Sequence, residues 1–140
     1  MLPPHVKISI TDQLDVVVME RHQLPSVTFR LVIWGDAAGD TEGKEGLRRL
    51  TAKLLKKGAG PYSADKFAYA VESRGAVVSV QINYDYMTIS GEFLSKDTYF
   101  GLYLIATMLL KPRFSSREIS FLKKKTTGEI TSILDEPGRL

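Results

Sequence analysis

Few side chains in this sequence have the chemistry of a metal ligand or a nucleophile. The chain contains no cysteine, which excludes disulfides, thiolate metal sites and a cysteine nucleophile within its 140 residues. Its two histidines, His5 and His22, lie in or beside predicted loops and far from any second ligand. We therefore predict that both are surface residues that bind no metal.

The segment from Gly46 to Gly58 carries the most distinctive arrangement of charged side chains. It reads GLRRLTAKLLKKG, and its leucines recur with a helical period, which predicts an amphipathic helix that stops at Gly58. Arg49 and Lys53 are one turn apart on this helix and therefore face the same side. The simplest interpretation of the two cations is a solvated helix face, because further arginine and lysine residues surround them.

The elements predicted around this helix follow the order ββααββαα. The predicted strands cover residues 15–20, 27–34, 76–82 and 86–94, and the predicted helices cover residues 46–58, 63–75, 97–110 and 115–134. Glycine-rich, acidic residues 35–46 predict a loop. Ser63 and Asp97 are predicted to cap the helices that they begin, and Pro137-Gly138 is predicted to close the last helix. Short turns between neighbouring strands, such as Asn83-Tyr84-Asp85, imply antiparallel pairing. The predicted fold is α+β, a two-layer sandwich with the helices packed on one face of an antiparallel sheet.

Composition predicts one soluble globular domain spanning residues 1–140. Apolar residues make up 44% and charged residues 25%, which is ordinary for such a domain. The net charge of +3 permits nucleic acid as a partner, but basic and acidic residues are interleaved except at Lys123–Lys125, which predict a solvated helix face. We find neither a signal-peptide core nor an apolar run of about 20 residues, the length of a membrane span. These features predict no particular cellular compartment.

In the order and spacing of its residues, the segment Gly46–Gly58 resembles the zinc helix of the insulinase/pitrilysin metallopeptidases. In that family a Gly-Leu-Ala start precedes His-x-x-Glu-His, in which the histidines hold zinc and the glutamate activates the bound water. The Ser63-Ala-Asp helix start and the strand pair after Gly75 agree with this frame. Gly128-Glu129-Ile130 resembles the segment that supplies the third ligand, with Glu129 76 residues (129 − 53) beyond Lys53. The resemblance extends from about residue 15 to residue 140.

The departures from the family motif exclude its chemistry in this chain. The resemblance places Arg49 and Lys53 at the two histidine positions and Ala52 at the glutamate position. Arginine and lysine are not zinc ligands at neutral pH, alanine offers no general base, and Glu129 alone cannot hold zinc tetrahedrally. We therefore expect no zinc, no other cofactor and no peptidase activity here, whereas active relatives are expected to hold zinc.

A charge pair is a further hypothesis for these positions. We predict that Arg49 or Lys53 pairs with Glu129 across the helix interface, so that an ion pair replaces the metal. An arginine pair in a partly shielded place would be bidentate, whereas a fully exposed pair would contribute little. The alternative for Glu129 is an ordinary glutamate on a helix surface.

The strand after Gly75 has two interpretations. The resemblance implies that Ala76-Val77-Val78-Ser79 lies beside the former zinc site and binds an extended peptide by strand addition. The alternative is an ordinary sheet strand. Similarly, Trp34, Tyr84 and Tyr86 either stack on a ligand or pack within the sheet, and packing is the preferred interpretation.

Three functions are compatible with the sequence. The leading one is a non-catalytic subunit or domain that completes a peptide-binding chamber with an active homologous subunit or a second repeat of the same protein. The second is the inert first part of a longer zinc peptidase, because the chain is expected to be the N-terminal part of a repeat, cut short. The third is a stand-alone peptide- or nucleic-acid-binding module, although we find no basic patch with interleaved aromatics. An unpaired sheet edge would also favour self-association.

Overall fold

The computed structural model describes residues 3–35 and 40–135. The strands are β1 (Val6–Thr11), β2 (Leu14–Val18), β3 (Ser26–Trp34), β4 (Val77–Ile82) and β5 (Tyr86–Leu94), and the helices are α1 (Leu47–Leu55), α2 (Ala64–Glu72), α3 (Thr98–Leu110) and α4 (Ser116–Asp135). The predicted α+β class and the predicted order of elements from β2 onwards are confirmed. Residues 36–39 of the predicted loop, and the Pro137-Gly138 predicted to end the last helix, lie outside the described residues.

Three strands form the main antiparallel sheet, in the order β3-β5-β4. The predicted turn joins β4 to β5, where the amide of Asn83 donates to the carbonyl of Tyr86 at 2.9 Å. Phe29 and Leu31 of β3 pack against the buried core, together with Val78 of β4. Phe29 and Leu31 enter the core together because side chains two residues apart on a strand share a face.

The prediction of a single sheet is wrong for the N-terminal strands. β2 pairs with β1 in a separate two-stranded sheet and has no ladder with β3. The two-residue turn at Asp12-Gln13 brings β1 and β2 together locally, so the nearest partner of β2 precedes it in the chain. Asp15 links the two strands by accepting from Ser9 Oγ at 2.6 Å and pairing with Lys7 Nζ at 2.9 Å. The pKa of Asp15 is lowered by both contacts, first by the hydrogen bond from Ser9.

The core lies between the main sheet and the helices. Its largest fully buried side chains are Phe93 and Ile89 of β5 and Leu104 and Met108 of α3. Phe93 lies against Gly101, because a Cβ added there would come within 2.7 Å of the phenyl ring. The missing side chain at this position lets α3 approach β5 closely.

Of two predicted helix caps, one differs in the structure. Ser63 caps α2 as expected, accepting from the amide of Lys66 at 3.4 Å. Asp97 precedes α3 as expected but makes no capping hydrogen bond. Its Oδ1 lies 3.6 Å from Nε of Arg74, whose guanidinium also lies 3.7 Å from the ring centroid of Phe100. Asp97 therefore takes the predicted N-cap position, but the predicted capping by its side chain is wrong, because the carboxylate lies toward the arginine that follows α2.

Candidate functional site

The start of α1 is held by a side chain from the preceding loop. Gly46 is the N-cap residue, with a φ of 88°, and has no side chain to accept from the first amides. Asp40 accepts instead, through Oδ2 from the amide of Gly46 at 2.6 Å and through Oδ1 from that of Arg48 at 2.8 Å. The carboxylate therefore fixes where α1 begins and satisfies the positive end of the helix.

Removing this carboxylate should destabilise the protein modestly. We expect Asp40→Ala to lower the free energy of unfolding by about 1 kcal/mol, the usual effect of losing an N-terminal capping side chain. Urea unfolding followed by circular dichroism measures the difference. Glu42→Ala is the matched control, since it removes the same charge from an exposed position in the same loop and should change stability by less than about 0.5 kcal/mol. Equal losses in the two variants would contradict the capping role.

The three motif positions of α1 differ in their surroundings. Arg49 is exposed and Lys53 is 40% exposed, whereas Ala52 is buried, with 3% of its surface accessible. α1 ends at Leu55, with Lys56 as its C-cap residue, which is three residues before the predicted stop at Gly58. Gly58 lies in the turn that follows, with a φ of 111°, and a Cβ there would lie 2.9 Å from the carbonyl oxygen of Tyr62. This turn requires glycine because another residue would be strained and would clash.

The predicted charge pair is present for Lys53. Its Nζ lies 3.9 Å from Oε2 of Glu129, and the two side chains are 40% and 51% exposed. Arg49 has no ion pair with a described residue, so the bidentate arginine form of the hypothesis is wrong. At this distance and exposure the pair contributes at most a few tenths of a kcal/mol, since solvent screens it. The contact between Lys53 and Glu129 nevertheless shows that α1 and α4 meet at the expected residues.

An open cleft of about 1060 Å³ lies between α1, α4 and the β4–β5 turn. Residues 40–46, before α1, also contribute to its lining. The side chains that line it include both polar and apolar groups: Asp40, Lys44, Glu45, Leu47, Arg48, Arg49, Leu50, Lys53, Ile82, Asn83, Tyr84, Lys123, Thr126, Thr127 and Ile130. The cleft therefore contains two of the three motif positions singled out on α1.

The acidic groups of the cleft are engaged by the backbone. Asp40 accepts from two amides at the start of α1. Glu45 accepts from the amide of Gly43 at 2.9 Å. The pKa of Glu45 lies below its ordinary value because its own amide and that of Gly43 donate to it. Arg48 donates to the carbonyl of Tyr84 at 3.1 Å, which ties α1 to the β4–β5 turn.

The strand expected to bind peptide forms one edge of the main sheet. β4 pairs with β5 on one side, and no described strand pairs with its other side. Ala76 precedes β4 and is buried in the core, so it does not contribute to the open edge. Val77, Val78 and Ser79 belong to β4. The helix α1 lies against this strand, which brings the edge near the cleft.

Two of the three aromatic side chains considered as possible ligand-stacking groups pack within the sheet instead. Trp34 and Tyr86 are paired across β3 and β5, with ring centroids 5.5 Å apart in an edge-to-face arrangement. Tyr84 lies in the β4–β5 turn and lines the cleft. Lys123 also lines the cleft, although no site role was predicted for it, because its basic run is typical of a solvated helix.

The structure shows no cluster of metal ligands among residues 3–35 and 40–135. No group of three His, Cys, Asp or Glu side chains there is placed to hold a metal ion. His5 and His22 are exposed, as predicted, and their ring nitrogens lie near Pro3 O at 3.0 Å and Glu20 Oε2 at 3.4 Å. Within the same residues, no helix has the length and apolar character needed to cross a membrane.

Comparison with known proteins agrees with this architecture. The chain is similar to the solved structure of a peptidase M16 inactive domain from Pseudomonas fluorescens, with a TM-score of 0.78 and 23% identity over 86% of this chain and 30% of that one. It is also similar to a protease from Helicobacter pylori, with a TM-score of 0.75 and 19% identity over 91% of this chain and 30% of that one. At these identities the likeness establishes the fold.

The chain spans about 30% of the length of both matched structures. No curated protein sequence matches it. The family described as Insulinase (Peptidase family M16) matches residues 16–139. Because that match covers most of the sequence and agrees with the fold, the chain belongs to the insulinase family of peptidases, family M16.

Proposed function

We propose that this chain is a non-catalytic member of the insulinase family that supports peptide binding. The observation that carries the proposal is the chemistry of α1, where Arg49, Ala52 and Lys53 occupy the positions that resemble the family's zinc and base residues. Ala52 is buried, and Lys53 is paired with Glu129. A helix with these side chains has no group that accepts a proton from water at neutral pH.

The residues present at the site do not fit a zinc ion. A catalytic zinc takes three protein ligands from histidine, carboxylate or thiolate groups and keeps one open position. Of the positions that match the motif, only Glu129 has such a group, and it lies beside a lysine ammonium. The charge of Lys53 opposes a cation at the same place. Metal-assisted hydrolysis is therefore no part of the proposed function.

The open edge of β4 supports a role in peptide binding. An extended peptide that adds to a sheet edge gains main-chain hydrogen bonds, while its alternate side chains enter pockets on either face. β4 offers such an edge beside α1, within the described part of the chain. This role needs a strand edge and a neighbouring cleft but no catalytic group.

The partner we propose is an active homologous subunit or a second repeat of the same protein. Support comes from length, since the chain corresponds to about 30% of each matched structure. One of those structures is itself described as an inactive peptidase M16 domain, which gives a precedent for a domain of this fold without activity. The same length comparison favours a second candidate, an inert first part of a longer zinc peptidase.

A pull-down of the tagged full-length protein from its native cell extract tests both candidates. We expect a homologue with an intact His-x-x-Glu-His helix to accompany it, together with peptidase activity that a chelator abolishes. Chelator-sensitive activity without any homologous partner would instead support the second candidate. An isolated, inactive protein that binds no extended peptide would contradict both.

A further inference from the structure

The cleft beside α1 has more positive than negative groups that face solvent. Its lining contains two carboxylates, Asp40 and Glu45, and both are engaged by backbone amides. Of its cations, Arg48 donates to a backbone carbonyl and Lys53 pairs with Glu129. Lys44, Arg49 and Lys123 remain, and among the described residues no carboxylate pairs with them. The cleft therefore presents a positive surface to a ligand.

Arg49 and Lys123 face this space from different helices. Arg49 is exposed on α1 and Lys123 is exposed on α4, so both cations are hydrated in the protein without a ligand. A carboxylate placed between two helices that each supply a cation gains charge-assisted hydrogen bonds. Leu50 and Ile130 also line the cleft, which suits a ligand that carries apolar groups next to its charge.

The free edge of β4 connects this surface to an extended peptide. Val78 and Val80 pack against the core on the helix side of the sheet, and Ile82, two residues further along β4, lines the cleft. A strand added to β4 would follow the same alternation, so every second side chain would point toward the helix layer. Side chains near the Ile82 end would reach the cleft that contains Arg49.

We propose that the cleft selects peptides that carry an aspartate or glutamate at the position facing Arg49 and Lys123. This inference rests on the proposed function and specifies its ligand. A peptide fits better than a nucleic acid because the lining contains one aromatic side chain, Tyr84, among described residues, whereas single-stranded nucleic acid is bound by successive aromatic platforms. The unpaired main chain of β4 also matches a peptide backbone.

Fluorescence anisotropy of labelled extended peptides tests the inference on the full-length protein. A parent peptide is compared with forms in which one position at a time carries glutamate, glutamine or lysine. At one position we expect glutamate to bind roughly five- to tenfold more tightly than glutamine, with lysine weakest. The preference should shrink as salt is added, because the cations are exposed.

Matched variants locate the preference. Arg49→Gln and Lys123→Gln should each reduce it, while Lys56→Gln and Lys124→Gln should leave it unchanged. The latter pair removes the same charge from exposed positions at the end of α1 and on α4, outside the cleft lining. Binding of the uncharged parent peptide should be unaffected in Lys56→Gln and Lys124→Gln.

Two outcomes would overturn the inference while peptide binding itself stands: equal affinity for glutamate and glutamine at every position, or an equal loss of preference in all four variants. Displacement of the peptides by an oligonucleotide that binds more tightly through Arg49 and Lys123 would also overturn it. If no peptide binds in any form, the proposed function fails along with the inference.

Discussion

Replacing Phe93 with alanine should lower the free energy of unfolding by about 3–5 kcal/mol, the cost of emptying a well-packed aromatic site in a core. Phe93 is 1% exposed and lies between the sheet and α3, next to Gly101. It also packs against Phe29 of the neighbouring strand β3, with ring centroids 6.0 Å apart. A domain has only about 5–15 kcal/mol of stability in total, so this substitution should leave it marginal.

Urea unfolding followed by circular dichroism measures this loss. Phe121→Ala is the matched control, because that side chain is 58% exposed on α4 and its truncation should cost less than about 0.5 kcal/mol. A similar loss in both variants would mean that Phe93 has no special place in the core.

A second substitution tests the contact between Phe93 and its glycine neighbour. Gly101→Ala alone should be destabilising by about 1–3 kcal/mol, because its Cβ would meet the phenyl ring at 2.7 Å. In the Phe93→Ala background the same change should be neutral or stabilising, since the ring is gone and alanine favours a helix over glycine by about 1 kcal/mol. Additive effects would contradict direct packing between these two residues.

The double substitution R49H/K53H should create a zinc site. It places two imidazoles one turn apart on α1, facing Glu129, whose carboxylate already lies 3.9 Å from Nζ of Lys53. Two histidines and one carboxylate are a sufficient set of protein ligands for zinc. With zinc at about 100 times its dissociation constant, binding should stabilise the protein by about 2.7 kcal/mol. Calorimetric titration and the shift in unfolding temperature measure the affinity and the stabilisation.

Two controls separate ligation from charge. R49Q/K53Q removes the same charges without adding ligands and should bind no zinc, and R49H/K53H/E129Q should bind it much more weakly than the double variant. Peptide hydrolysis should not appear in R49H/K53H or in either control, because Ala52 remains in all three variants and supplies no general base. If R49H/K53H bound zinc no better than R49Q/K53Q, the assignment of these positions to the family's metal site would be wrong.

The local features of the fold were predictable from the sequence because neighbouring residues determine them. Alternation along β3 selects the face that enters the core, and Ser63 and Gly75 set the ends of α2 through a capping hydrogen bond and a left-handed turn. The frame of the segment from Gly46 to Gly58 indicated the family. The same frame placed Glu129 close to α1, although 76 residues (129 − 53) separate it from Lys53.

Folding decided the features that depend on competition between partners. Sequence periodicity identifies β2 as a strand but does not say that β1 rather than β3 pairs with it, because both lie within a short chain distance. Asp97 has the pattern of a helix cap, and only the position of Arg74 after folding shows that the carboxylate turns toward a cation.

The cleft likewise arises from three segments, α1, α4 and the β4–β5 turn, that are distant in the chain. Lys123 looks like part of a solvated run until α4 packs beside α1. The order of residues therefore specified the elements from β2 onwards and the side chains at the three positions of α1 that resemble the family motif, which are local facts of residue type. Packing alone decided which cations share a cleft, because that depends on distances between segments that no local pattern encodes.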